Sequence, residues 1–189
     1  MLIAITGGVG SGKSAVMEIL KSFGANVLSA DEVNDEIIKD PEYIEKISKL
    51  FDGVVKDGRI DRVALGKKVF YDEKAMKKLN DLAHPLIIAE TKKRIAKMDG
   101  AIFVEVPLLV ESNMQDMFDR IWLVKASREL RLKRMLLRDT ISEEYAKRIM
   151  ASQATDKIRM KYATDVIENS GDENQLYNRV HELYHSLYE

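Results

Sequence analysis

Cysteine is absent from this chain, which excludes disulfides, thiolate zinc sites and cysteine nucleophiles together. No segment approaches the roughly 18 uninterrupted apolar residues of a membrane span. The opening run LIAIT is too short, and too soon followed by glycines, to read as a secretion signal. The expectation is a cytoplasmic protein with no membrane partner. Excess charge is missing too. Against 31 Asp plus Glu stand 30 Lys plus Arg, a formal net charge of -1. The molecule as a whole is therefore no polycation for nucleic acid, and any anion site must be local.

What is present suffices for a full core, with 189 residues of which 46% are apolar. Leu2 to Thr6 reads as a buried strand. After a glycine loop, Lys13 to Phe23 carries Val16, Ile19, Leu20 and Phe23 at helical spacing. A second short strand, Asn26 to Leu28, runs into SADEVNDEII, where Ser29 or Asp31 can cap a helix. From Asp31 to about Lys97 the pattern is helical, broken by Pro41, by the turn residues of FDGVVKDG and by Pro85. Strands return at Ala101 to Val106, Arg120 to Val124 and Asp165 to Ile167, and a last amphipathic helix starts near Asp172. Five strands alternating with helices predict an α/β fold, a parallel sheet covered on both faces.

Residues 7 to 14, GGVGSGKS, fit G-x-x-x-x-G-K-[ST]. Glycines let the backbone approach phosphate oxygens closely. The N–H groups of Gly8, Val9, Gly10, Ser11 and Gly12 can then turn inwards, joined by the positive end of the following helix. Lys13 supplies a mobile charge, and Ser14 offers its hydroxyl to a magnesium ion bridging the outer phosphates of ATP. A competing motif, HELYH at residues 181 to 185, matches the helical zinc signature H-E-x-x-H. Such a site needs a third ligand, and His84 is the only other histidine. The apolar stripe Leu176, Val180, Leu183 and Leu187 explains the segment as a packing helix.

A phosphate loop alone does not separate switch, motor and phosphotransferase. The guanine signature N-K-x-D, the switch signature D-x-x-G and the transporter signature S-G-G-Q do not occur. Asp31, just past the second strand, lies towards the carboxyl edge where parallel sheets bind ligands, so it reads either as an acceptor base or as a helix cap. Arg128, Arg131, Arg134 and Arg138 crowd one side of a helix, and Arg134 with Arg138 is the preferred pair for charge stabilisation by a closing lid. KDGRIDRVALGKK sets Lys56, Arg59, Arg62, Lys67 and Lys68 against Asp57 and Asp61. It reads as a site for a second phosphorylated substrate or as an exposed helix start capped by Asp61.

Together the opening IAITGGVGSGKS, SAD at 29 to 31, GRIDR at Gly58 to Arg62, His84-Pro85, VPLLVE at Val106 to Glu111, RLKRMLLRD at Arg131 to Asp139, SQAT at Ser152 to Thr155 and DVIEN at Asp165 to Asn169 resemble the dephospho-coenzyme A kinase family almost end to end. The resemblance implies transfer of the γ-phosphoryl of ATP, with Mg2+, to the ribose 3′-hydroxyl of dephospho-CoA. It implies a three-layer P-loop nucleotide-kinase-like fold, in which residues 1–30, 101–126 and 161–189 form the nucleotide-binding core. Residues 31–100 would form the helical CoA-substrate domain and 127–160 the lid. Asp31 becomes the acceptor base, with Arg62, His84, Pro107 and Leu108 on the substrate side and Glu105 at the magnesium through water. Two departures stand out: Ser29 replaces the first acid of the family's D-A-D pattern, and Arg131 stands where Gln is usual. The alternatives are a small-nucleotide kinase of the adenylate-kinase type, with another acceptor, and a non-catalytic ATP-binding regulator. A monomer or small homo-oligomer is expected.

Overall fold

The computed structural model describes residues 1–70 and 72–188. Strand β1 (Leu2–Thr6) leads through the glycine loop to α1 (Lys13–Ser22) and β2 (Asn26–Ser29). Next come α2 (Ala30–Ile37), α3 (Pro41–Leu50), β3 (Val55–Lys56), β4 (Arg59–Ile60), α4 (Arg62–Val69) and the long α5 (Glu73–Ile95). The chain then runs through β5 (Ile102–Glu105), β6 (Arg120–Lys125), α6 (Arg128–Arg138), α7 (Glu143–Ala151), α8 (Asp156–Arg159), β7 (Asp165–Glu168) and α9 (Glu173–His185). Two compact units result, Met1–Ser29 with Met98–Glu189, and Ala30–Lys97. Residues 127–160 fall within the first.

In the first unit five parallel strands lie in the order β2-β5-β1-β6-β7. Ile3, Ile5, Phe103, Trp122, Val124 and Ile167 form one apolar face, packed against Val16 and Leu20 of α1 and Leu176, Val180 and Leu183 of α9. Burying a side chain such as Phe103 contributes about 1.5–3 kcal/mol. Ala4, Val104, Ile121 and Leu123, at the alternate positions, are equally buried, so both faces are covered as a parallel sheet requires. Register sets Glu105 beside both Ile5 and Ser29, and Lys125 beside Glu168. The carboxyl ends therefore share one edge, and β1 stands at its centre, where the chain switches sides.

The HELYH segment lies on α9. His181 and His185, with ring centroids 4.1 Å apart, pack against Phe23, whose centroid is 5.7 Å from that of His181.

The second unit closes around Tyr43, Ile47, Phe51, Val54, Val69 and Ala83. Pro41 opens α3, with the Asp40 carboxylate accepting from the N–H of Glu42 and Tyr43 at 2.9 and 3.1 Å. Two expectations are corrected. FDGVVKDG is no mere break, since Val55 and Lys56 pair with Ile60 and Arg59 across Asp57-Gly58, both at positive φ (49° and 70°), the conformation of a tight hairpin turn. Nor does Pro85 end a helix, because it lies inside α5. An interior proline costs about 3 kcal/mol. Here Met76, Leu79, Ala83, Leu86 and Ile87, on both sides of it, pack into one core and hold the helix through it.

Candidate active site

The loop between β1 and α1 is shaped by close approach. Gly10 and Gly12 take φ of 76° and 97°, where an L side chain is strained. A Cβ on Gly10 would lie 2.6 Å from the Arg131 carbonyl oxygen, and one on Gly12 would collide with the Asn169 amide. Gly12 is the N-cap of α1, with no side-chain cap and no acid in the first turn. A helix start of this kind presents N–H groups to an anion.

Lys13 is 8% exposed, and its Nζ donates to the Gly7 carbonyl at 3.1 Å, with the Gly8 carbonyl at 3.5 Å. The ammonium is thus held over the loop. Ser14 follows on the exposed side of the first turn, and the Ser11 hydroxyl is buried without a hydrogen bond among the described residues. Gly8, Val9, Gly10, Ser11, Gly12, Lys13 and Ser14 therefore form one continuous cradle.

The arginines of α6 divide. Arg134 reaches the loop, its guanidinium 3.4 Å from the carbonyls of Gly10 and Ser11 and 3.1 Å from that of Asn169. Arg131, 8% exposed, donates from Nε to the Val9 carbonyl at 2.9 Å. Burial pushes its guanidinium below the usual arginine value, and Asp156, at 3.7 Å, opposes that. Arg138 does not join them. Its side chain is 65% exposed and makes two bonds, of 2.9 and 2.7 Å, to Asp139. The pair that meets the loop is Arg131 with Arg134, not Arg134 with Arg138, because α6 passes the loop at 131 and 134, beside buried Met135, while Arg138 lies about two turns after Arg131 at the exposed end of the helix.

Glu105 ends β5, half-buried, with Val106 behind it accepting from the Thr6 hydroxyl at 2.9 Å. Pro107 and Leu108 begin a turn in which the Leu108 carbonyl accepts from Ser112 N–H at 2.9 Å. In the second unit Asp31 is exposed in the first turn of α2, inside the helix and not at its cap position. Arg62 opens α4 behind the Asp61 cap and pairs with Asp35 at 2.6 Å. His84 is half-buried in mid-α5.

Several supporting residues carried no individual expectation. Gln153 Oε1 accepts from Val9 N–H at 2.8 Å, and Asn169 Nδ2 donates to the Ser11 carbonyl at 2.8 Å. Arg159, only 1% exposed, bonds the Ala154 carbonyl at 2.5 Å and Glu111 at 3.3 Å, while Glu111 accepts from Ala154 N–H at 2.7 Å. With Asp156 3.5 Å from Arg159, two buried cations and two half-buried anions form a chain behind the loop. The only sequence signal was that SQAT, DVIEN and VPLLVE recur in the resembling family.

A phosphate loop at the carboxyl edge of a five-stranded parallel sheet, backed by arginines from α6, defines a P-loop kinase fold. Comparison carries the assignment further. The dephospho-CoA kinase family model matches residues 1–175, and the chain belongs to that family and is a phosphotransferase. Dephospho-CoA kinase of Moorella thermoacetica is 36% identical over 179 residues, covering 90% of this chain and 84% of that protein. A crystal structure from Thermus thermophilus superposes with a TM-score of 0.87 at 31% identity, over 99% of this chain and 97% of that one. Dephospho-CoA kinase from Campylobacter jejuni gives 0.72 at 29%, over 98% and 96%.

Proposed function

We propose that this chain transfers the γ-phosphoryl group of ATP to the ribose 3′-hydroxyl of dephospho-CoA, the last step of coenzyme A synthesis. The observation that carries the reading is the cradle: an uncapped α1 start with Lys13 held over the Gly7 and Gly8 carbonyls. In use, Lys13 would leave those carbonyls for the β and γ phosphates, and the loop N–H groups would bind them from below. The acceptor oxygen attacks the γ-phosphorus, the bond to the β–γ bridging oxygen breaks, and Asp31 takes the hydroxyl proton. Arg134 steadies the developing charge, joined by Arg138 once it exchanges Asp139 for phosphate oxygen. Arg62, His84, Pro107 and Leu108 are assigned to the acceptor side, where Arg62 would exchange Asp35 for an anionic group of the substrate.

Magnesium fits the donor set. Mg2+ takes oxygen ligands, keeps several waters and leans on substrate phosphates. It therefore needs no protein cage, and among the described residues no three His, Asp or Glu side chains gather to form one. The Ser14 hydroxyl would hold it directly and Glu105 through water. When bound, the ion neutralises charge between the outer phosphates. Among the described residues no helix is long and apolar enough to cross a membrane.

The test is an ADP-release assay with ATP and magnesium across dephospho-CoA, AMP, CMP and shikimate, with Lys13→Ala as the inactive control. Turnover should require dephospho-CoA. Faster turnover with AMP or CMP would reassign the acceptor, and none with any acceptor would refute the transfer.

A further inference from the structure

Val9 sits in the middle of the phosphate loop, yet both its backbone polar groups turn outward. Its N–H donates to Gln153 Oε1 at 2.8 Å, and its carbonyl accepts from Arg131 Nε at 2.9 Å. A backbone N–H used in this way is not a donor to phosphate. The two gripping side chains come from segments over 120 residues away in the chain (sequence separations of 144 and 122). Both are anchored. Arg131 lies against Asp156, which lies against Arg159. The residue after Gln153, Ala154, is held at its N–H by Glu111 and at its carbonyl by Arg159. The main chain of Arg131 also walls the loop at Gly10, and its guanidinium fills the space beside Gly8.

We propose that Arg131 and Gln153 are positioning residues that clamp the Val9 peptide from both sides. The clamp, with the Ser11 N–H itself held by the Gly8 carbonyl at 3.1 Å, aims the N–H groups of Gly10, Gly12, Lys13 and Ser14 at the outer phosphates of the nucleotide. This rests on the reading above that the loop holds the β and γ phosphates of ATP. Arg131 then acts through the loop and not as a mobile cation of a closing lid. Its burial and its bond to a loop carbonyl support that role. A residue that acts by aiming the loop should matter in proportion to the phosphates the loop holds. It should strengthen ATP and ADP, and be indifferent to AMP and to the acceptor.

The experiment is calorimetric titration of ATP, ADP and AMP into the wild type, Arg131→Ala, Gln153→Ala and the double variant, with KM for dephospho-CoA measured alongside. Arg131→Ala should weaken ATP and ADP by about ten- to a hundredfold, the scale of one hydrogen bond from a charged group, and Gln153→Ala by about three- to tenfold, the scale of a neutral one. AMP affinity and KM for dephospho-CoA should stay within about twofold, and the double variant should lose less than the product of the singles. Gln153→Ala removes only a neutral side chain, so it carries the test if Arg131→Ala fails to fold. If Arg131→Ala weakens ADP while Gln153→Ala does not, Arg131 touches phosphate directly and the clamp is wrong. An equal loss for all three nucleotides would mean a general structural role and also overturn it. A wild type that binds no ATP would instead refute the reading of the loop itself.

Discussion

Alanine at Gly10 separates two costs that glycine loops usually combine, because Gly24 supplies a matched control. The two have nearly the same φ, 76° and 77°. Forcing an L residue into that region costs about 1–2 kcal/mol. At Gly24 nothing lies within 4 Å of a new Cβ, so that is the whole loss. At Gly10 the Cβ would stand 2.6 Å from the Arg131 carbonyl oxygen and 3.1 Å from its Cα. That is about 0.8 Å inside ordinary contact, and the neighbours are backbone of α6 that cannot swing aside. Overpacking of this kind adds about 1–3 kcal/mol. For a chain of this size the difference separates the two melting temperatures by about 2–12 °C. Thermal melts of the two variants measure it, and ATP titration should show Gly10→Ala weakened and Gly24→Ala unchanged. Coincident melts would mean that α6 does not approach the loop as described.

Asp31→Asn keeps size and helix position but cannot take a proton, so turnover should fall about a hundredfold to ten-thousandfold with ATP affinity barely changed. Normal turnover per folded molecule would send the search for the base elsewhere, to Glu105 first, since Glu111 is tied to Arg159 and Ala154. Arg138→Ala should lower kcat more than ATP affinity, and an unchanged kcat would make the exposed pair with Asp139 its whole role. The Lys56 bond, and then the Ala64 N–H, hold Asp61 below the usual aspartate value of 3.8. Its contribution is therefore present above about pH 4 and lost as pH falls through the lowered value. Asp61→Asn should flatten the acid-side decline in melting temperature between about pH 5 and 2, and an unaltered decline would count against the pair.

The sheet was legible because each strand is a run of neighbouring apolar residues, and expected and observed spans differ by a residue or so at the ends. The phosphate loop was legible for the same reason, all its determinants lying within eight consecutive residues. Strands β3 and β4 have two residues each, too few to show a period, and their one local signal was Asp57-Gly58. The helix through Pro85 depended on packing that local propensity does not report. The division among the arginines was hidden for a third reason. Spacing puts Arg131, Arg134 and Arg138 on one side of a helix, but which of them turn inward is decided by where α6 meets a loop 120 residues earlier. Gln153 and Asn169 are functional in this sense only through partners 144 and 158 residues away.

The central place of β1 bears on how the protein emerges from the ribosome. Leu2–Thr6 is made well before its two neighbours β5 and β6, whose first residues are Ile102 and Arg120. The Ala30–Lys97 unit is contiguous, so its internal contacts can all form while the first strand still waits for a partner. The side chains that hold the glycine loop come later again, with Asn169 last. A chain halted anywhere before that point has its glycines and its lysine but lacks the frame that shapes them. The phosphate cradle is thus completed only when a residue 158 positions after Ser11 has been made, and a shorter chain carries the loop's residues without its full frame.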